Sequence, residues 1–197
     1  MNRLKLAVAL AATGVLSACV APVGPVSVTR FHTADTSTLG RGPISVVPAP
    51  GADGASLEWK TWQAAVLRQL ALVGYAPVDA GGAGQVAEMR VARSTLQPVR
   101  TGSPVSVGLG GSTGSYGSGV GLGIGVDLSG TPKPQVATEL GVIIRDRAGG
   151  QALWDGRASF SVSSGSPLAD STLASAKVAE ALFKDFPGQS GETIEVR

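Results

Sequence analysis

The sequence predicts an α+β fold, in which a mostly antiparallel sheet carries two helices packed on one face, plus a Gly-rich β-hairpin. Apolar residues recur at helical spacing over residues 55–73 and again over 168–184. Residues 136–146 and 153–162 instead alternate between apolar and polar side chains, which is typical of half-buried strands. Strands and helices that alternate in this way along one chain indicate a layered domain.

The first helix has the clearer pattern, and either Asp53 or Ser56 can cap its start while Gly74 ends it. We interpret its two tryptophans as core residues rather than as a ligand platform, because they belong to the apolar stripe. The stripes predicted for the two helices are Trp59, Trp62, Val66, Leu70 and Val73, and then Leu168, Thr172, Ala176, Ala179 and Phe183.

Seven other segments have the composition and alternation of strands, and the turn Arg147–Gly150 joins two of them into an antiparallel hairpin. The predicted strands are Val26–His32, Ile44–Pro48, Tyr75–Val78, Val86–Val99, Val136–Asp146, Leu153–Val162 and Thr193–Val196.

Residues 1–18 are typical of a secretory signal, since a basic start is followed by a short apolar stretch that is too short to span a bilayer. The residues Leu16, Ser17, Ala18 and Cys19 resemble a bacterial lipobox, in which the thiol of Cys19 receives a diacylglyceryl group and the new amino terminus is acylated. The alternative is an ordinary signal followed by an incidental cysteine. Val20 rather than Asp after the cysteine favours an outer-membrane location, with the protein facing the periplasm.

The predicted organisation is therefore a signal peptide (1–18), a lipidated N-terminus and tether (19–42) and one α+β domain (43–197). Arg3 and Lys5 lie in the signal, so the mature chain carries 14 basic and 14 acidic residues and presents no charge excess for nucleic acid. One cysteine excludes an internal disulfide, and one histidine, His32, leaves few ways to build a metal site. We expect no cofactor beyond the lipid on Cys19, no metal and no nucleic-acid partner.

The Gly-rich segment 101–131 holds 11 of the 28 glycines, and no charged residue occurs between Thr101 and Val126. Its alternation predicts a hairpin with one apolar face and one nearly bare face. Three interpretations remain open: an extension of the domain's own sheet, a surface for a partner or a second copy, or a membrane-inserting hairpin of an oligomeric barrel. The candidate interaction residues are Val105, Val107, Leu109, Tyr116, Val120, Leu122, Ile124 and Val126.

Two motifs that suggest enzymes lack the context they need. Gly110–Gly114 matches G-x-S-x-G, but no helix pattern follows it and His32 precedes it. Gly82–Ala87 matches G-x-G-x-x-A, but the following residues are strand-like. His32 is expected to be exposed and inert, and the carboxylates Glu88, Glu139, Asp146 and Asp155 to lie scattered on solvated strand faces. The sequence therefore predicts no catalytic residue and no enzyme.

The whole mature chain resembles a family of Gram-negative lipoproteins catalogued as domain of unknown function 4136. The resemblance implies a periplasm-facing, membrane-anchored α+β domain without an assigned activity. One departure is Val86–Met89, where relatives have Ala-Asp and an apolar strand, so the start of that strand stays open. The segments that carry the resemblance are Val28–His32, Gly42–Pro48, Ser56–Glu58, Leu72–Val78, Ser103–Gly108 and Ala181–Gly188.

These observations predict a membrane-anchored envelope protein with a structural or interaction role. The alternatives are a subunit of an oligomeric outer-membrane secretion or transport assembly, and a carrier of an apolar ligand or lipid. A partner protein of the envelope or a second copy of the chain would bind the hairpin.

Overall fold

The computed structural model describes residues 24–97 and 133–197 with their side chains, and the backbone of residues 105–114 and 117–126. Two helices and nine strands occur in this part of the chain, with short 3-10 turns at Ala80–Gly82 and Pro167–Ala169. The elements are β1 (Val26–His32), β2 (Pro43–Pro48), α1 (Leu57–Leu72), β3 (Ala76–Pro77), β4 (Gln85–Leu96), β5 (Val105–Gly114), β6 (Gly117–Val126), β7 (Gln135–Asp146), β8 (Ala152–Ser163), α2 (Ser171–Phe183) and β9 (Thr193–Val196).

Seven strands form one mixed sheet in the order β3-β2-β4-β7-β8-β1-β9. The neighbours from β4 to β9 are antiparallel, while β2 lies parallel to both β3 and β4. These pairs are parallel because α1 brings the chain back to the end of the sheet at which β2 begins, so that β3 and β4 start there and run in the same direction as β2. The predicted α+β class with a mostly antiparallel sheet is confirmed.

The alternation in β7 and β8 decides which face of the sheet is buried. Leu140, Val142 and Ile144 of β7 are fully buried, and Trp154, Ala158 and Phe160 of β8 are at most 5% exposed. Both helices cover this face, and α1 and α2 also pack on each other. The opposite face of the sheet carries the ion pairs of Glu88 with Arg145 and of Glu139 with Arg90, so the core is a single layer between sheet and helices.

Helix α1 follows its predicted stripe. Ser56 caps it by accepting a hydrogen bond from the Trp59 backbone N–H at 3.1 Å, and Gly74 follows its end with φ +106°. Trp62 is fully buried and Trp59 is 7% exposed, so both tryptophans are core residues as predicted.

Helix α2 exposes part of its predicted stripe. Thr172 and Ala176 are exposed, whereas Ala174, Ser175 and Val178 are buried. The helix is alanine-rich, so several rotational phases give a similar apolar stripe, and the packing against α1 and the sheet selects one of them.

The predicted tether over residues 19–42 is wrong in its second half. Strand β1 lies inside the sheet between β8 and β9, with Val26 and Val28 fully buried. The domain therefore begins at residue 26 at the latest rather than at residue 43. The local sequence does not reveal that β1 is buried in the sheet, because its partner strands lie more than 120 residues further along the chain.

The strands of the sheet have two ends, which we call the root end and the far end. The root end is defined by Leu96, Gln135 and Ser163, which are aligned across β4, β7 and β8, and the Gly-rich segment leaves the sheet there. Strand β8 runs towards this end and β1 runs away from it, so Val26 also lies at the root end. The far end holds His32, Trp154 and the C-terminus of α2.

Candidate functional site

Several predicted site residues lie outside the described part of the chain. These are the lipobox residues Leu16, Ser17 and Ala18, the proposed lipidation residue Cys19, and Tyr116 of the Gly-rich segment.

The Gly-rich segment forms a separate two-stranded antiparallel sheet of β5 and β6. Its register sets Val105 opposite Val126, Val107 opposite Ile124, Leu109 opposite Leu122 and Gly111 opposite Val120. Residues directly opposite each other share a face, so the predicted apolar positions lie together on one face of the hairpin.

Both enzyme-like motifs lie in strand context. Gly110–Gly114 falls within β5, which is followed by another strand, so the sharp strand-to-helix turn of a hydrolase elbow is absent at this motif. Strand β4 begins at Gln85, within the dinucleotide-like pattern, where a helix would be needed. The start of β4 at Gln85 also answers the question that the departure at Val86–Met89 left open, namely where this strand begins.

At the root end, Arg93 joins four elements. Its guanidinium donates to Glu58 Oε1 at 3.2 Å, to Ala169 O at 2.5 Å and to the Ser171 hydroxyl, and its Nε donates to Thr138 Oγ1 at 3.3 Å. Glu58 lies in the first turn of α1 and Ser171 begins α2, so one side chain of β4 contacts the N-termini of both helices. The alternation placed Arg93 on a shared face with Val91, but no sequence pattern indicates these partners.

The Glu58 carboxylate accepts a hydrogen bond from Ser171 and pairs with Arg93, and these two contacts lower its pKa from the ordinary value. A depressed carboxyl pKa stabilises the fold above the unfolded pKa of about 4.3, and this contribution is lost as the pH falls through the folded value.

We expect Glu58→Gln to reduce the free energy of unfolding at pH 7 by about 1 kcal/mol or less, because Glu58 is half exposed and solvent screens the pair. The difference from wild type should shrink towards zero at pH 3. Urea unfolding at both pH values measures it, with Glu180→Gln on the exposed face of α2 as the control. A deficit that persists unchanged at pH 3 would contradict the assignment.

At the far end, Arg30 lies buried beneath the C-terminus of α2. Its Nε donates to Leu182 O at 3.1 Å and its Nη2 to Ala181 O at 3.2 Å, and the residue is 4% exposed. Burial lowers its pKa, an effect opposed by Asp185 and Glu192. A cation at this position satisfies backbone carbonyls at a helix C-terminus and interacts favourably with the helix dipole.

An aromatic cluster closes the far end. The Trp154 ring stacks on Phe183 with centroids 5.4 Å apart and contacts Phe186 at 5.3 Å, and its indole N–H donates to Pro187 O at 3.0 Å. His32 lies beside it, half-buried in β1, with Nε2 3.3 Å from Gly188 O. His32 is therefore less exposed than expected. Two segments of the family resemblance, Val28–His32 and Ala181–Gly188, thus meet and act as structural contacts.

A cleft of about 320 Å³ opens at the far end between the loop before β2 and the β7–β8 turn. Gln85 forms part of its wall and is itself held by a hydrogen bond to Thr38 O at 2.9 Å and one from the Tyr75 hydroxyl at 3.1 Å. Its ionisable lining residues are Arg41 and Asp146, and Asp146 accepts from Gly149 N at 2.7 Å. Asp146 is the one carboxylate among these lining residues, so the cleft brings no pair of carboxylates together.

The carboxylates predicted to be scattered are engaged locally. On the open face of the sheet, Glu88 pairs with Arg145, Glu139 with Arg90 and Asp155 with Arg157. Within the described part of the chain, no three His, Cys, Asp or Glu side chains come close enough to hold a metal ion. In the same part, no helix is both long and apolar enough to cross a bilayer.

No protein-family model matches the chain. The uncharacterized protein ZMO1243 of Zymomonas mobilis is 27% identical over 215 residues, covering 88% of this chain and 80% of that protein. Among solved structures, a PDZ domain protein from Parabacteroides distasonis matches with a TM-score of 0.51 and 10% identity, over 99% of this chain and 43% of its own. The PelC dodecamer from Paraburkholderia phytofirmans gives a TM-score of 0.42 at 11% identity, over 84% and 99%. The PDZ protein supports the fold alone.

Proposed function

We propose that the protein is a lipid-anchored component of the bacterial cell envelope, held by acyl chains on Cys19 at the periplasmic face of the outer membrane. Its role is that of a structural or interaction module rather than an enzyme, and the family resemblance to the 4136 lipoproteins is part of this proposal. The sequence observation behind the lipid anchor is the resemblance of Leu16–Cys19 to a lipobox.

The observation that best supports the proposal is the short distance between the anchor and the folded domain. Strand β1 begins at Val26, seven residues after Cys19, and it is paired on both edges. Seven residues span at most about 25 Å, so an acylated Cys19 holds the domain against the membrane rather than on a long tether.

The local engagement of the polar groups supports a non-enzymatic role. Glu88, Glu139 and Asp155 are in ion pairs with arginines, and Asp146 binds a turn. The pairs of Glu88 with Arg145 and of Glu139 with Arg90 hold neighbouring strands together.

The anchor is tested by Cys19→Ala. We expect this change to abolish palmitate labelling and to release the protein from the membrane fraction, because the thiol is the acylated group. Val20→Ala, which keeps the thiol, should label as wild type. Undiminished palmitate labelling of the Cys19→Ala protein would refute the anchor.

A second candidate is a subunit of an oligomeric secretion or transport assembly. It is favoured by the hairpin, whose strands β5 and β6 each have one paired neighbour in the described structure and so offer a free edge to another chain. Light scattering of the detergent-extracted protein tests this candidate, and a strict monomer would refute it.

A further inference from the structure

We propose that the root end of the domain rests on the phospholipid surface that holds the Cys19 acyl chains, with exposed leucines and the Gly-rich hairpin facing the lipid. The inference rests on the proposed anchor and adds to it the orientation of the domain and the surface that touches the membrane.

The topology brings the anchor and the hairpin to the same end of the sheet. Strand β4 runs towards the root end and β7 returns from it, so residues 97–134 leave and rejoin the sheet there. Strand β1 enters from the same end, because it is antiparallel to β8 and β8 is antiparallel to β7.

The lengths of the two segments match a membrane at this end. The chain from Cys19 to Val26 reaches at most about 25 Å when fully extended. Each strand of the hairpin has 10 residues, and such a strand spans about 33 Å. A hairpin that starts from the same end therefore has the reach to contact the bilayer to which the short N-terminal segment binds the domain.

Three of the large apolar side chains that the structure leaves exposed lie around the same end. Leu57 is 81% exposed, Leu96 is 55% exposed and Leu173 is 50% exposed. Leu57 precedes Glu58 and Leu173 follows Ser171 by two residues, so both lie at the helix N-termini that Arg93 contacts, while Leu96 ends β4 on the opposite face of the sheet. These leucines give apolar groups that can contact lipid to the end of the sheet from which the uncharged hairpin leaves.

The charges at the root end favour contact with neutral lipid. No charge occurs between Thr101 and Val126 of the hairpin. The Arg93 guanidinium at this end is paired with Glu58, so this cation adds little attraction to anionic headgroups.

Single-cysteine spin labels test the orientation in the acylated full chain. The chain has one cysteine, which acylation occupies, so Leu173→Cys and Leu72→Cys each introduce one free thiol. Both leucines are exposed on helices, but Leu72 lies at the C-terminus of α1, away from the root end. In phosphatidylcholine vesicles, we expect the label at 173 to show several-fold higher accessibility to oxygen relative to a water-soluble relaxant than the label at 72. Equal accessibility at the two positions would overturn the proposal.

A second experiment is independent of acylation. In the mature chain that begins at residue 19 and carries Cys19→Ser, we expect Leu57→Ser, Leu96→Ser and Leu173→Ser together to lower the partition into phosphatidylcholine vesicles at least about tenfold, since each buried leucine contributes to binding. The matched control is Phe31→Ser, Leu72→Ser and Val78→Ser, which changes three other exposed apolar residues and should leave the partition unchanged. Thermal unfolding verifies that both triple variants are folded.

The two proposals fail in different ways. Unmodified Cys19 in the native protein would refute the anchor. The comparison of the two triple variants in vesicle partition would still test whether the root end contacts lipid. Equal partition of the two triple variants, or binding that requires added phosphatidylglycerol, would overturn the lipid surface while leaving the anchor intact.

Discussion

Replacing Arg30 by methionine is expected to lower the free energy of unfolding by about 3 kcal/mol, because buried carbonyl groups lose their charged donor. The guanidinium donates to the carbonyls of Ala181 and Leu182 at the C-terminus of α2, and Arg30 is 4% exposed. Methionine fills much of the volume but offers no donor, so both contacts are lost together.

Urea unfolding of the purified protein measures this effect. Arg157→Met on the neighbouring strand β8 is the control, because the Arg157 side chain is 63% exposed and lies 3.6 Å from Asp155. Exposed pairs of this kind contribute about 0.5 kcal/mol or less. Equal losses in the two variants would show that Arg30 does not hold the helix end.

Gly156→Ala is expected to cost about 2–3 kcal/mol, because the space above Gly156 is filled by the indole of Trp154. A Cβ at this position would lie 2.7 Å from Cζ2 of that ring and would overlap its Cη2 atom. The ring cannot move aside easily, since it stacks on Phe183 and donates a hydrogen bond to Pro187 O.

Gly141→Ala is the matched control for this glycine. It makes the same change in the adjacent strand β7, where a Cβ would meet no atom within 4 Å. We expect it to be neutral or to stabilise slightly, since alanine has less freedom than glycine in the unfolded chain. Near-ultraviolet circular dichroism of the Trp154 environment should change for Gly156→Ala alone, and an unaltered spectrum would contradict the argument.

The sequence predicts the layers of this fold well where the pattern is local. Residues 136–146 and 153–162 alternate and are joined by a short turn, and the stripe of α1 has large apolar residues with a cap at Ser56. These signals need no knowledge of distant partners, and the structure agrees with them to within a few residues.

The errors occur where the determining contacts are distant along the chain. Strand β1 was expected to interrupt a tether, yet it is buried because β8 and β9 supply its partners. The predicted buried face of α2 differs from the observed one, because an alanine-rich helix has an apolar stripe in several rotational phases. Val178 rather than Ala176 therefore faces the core.

The polar contacts were even less predictable. The alternation in β1 sets Arg30 on one face with Val26 and Val28, but no local signal indicates that its guanidinium donates to two carbonyls of α2. The same holds for Arg93 and its contact with Glu58. A cation at an alternating apolar position is a useful signal of a buried contact, although it does not identify the partner.

The chemical state of residue 19 decides whether the protein is anchored by lipid. Intact-mass and peptide mass spectrometry of the protein extracted from its native membrane should find Cys19 as the first residue, carrying a diacylglyceryl group on sulfur and an acyl chain on nitrogen. A chain in which Cys19 is unmodified, or which begins at another residue, would contradict the lipid anchor.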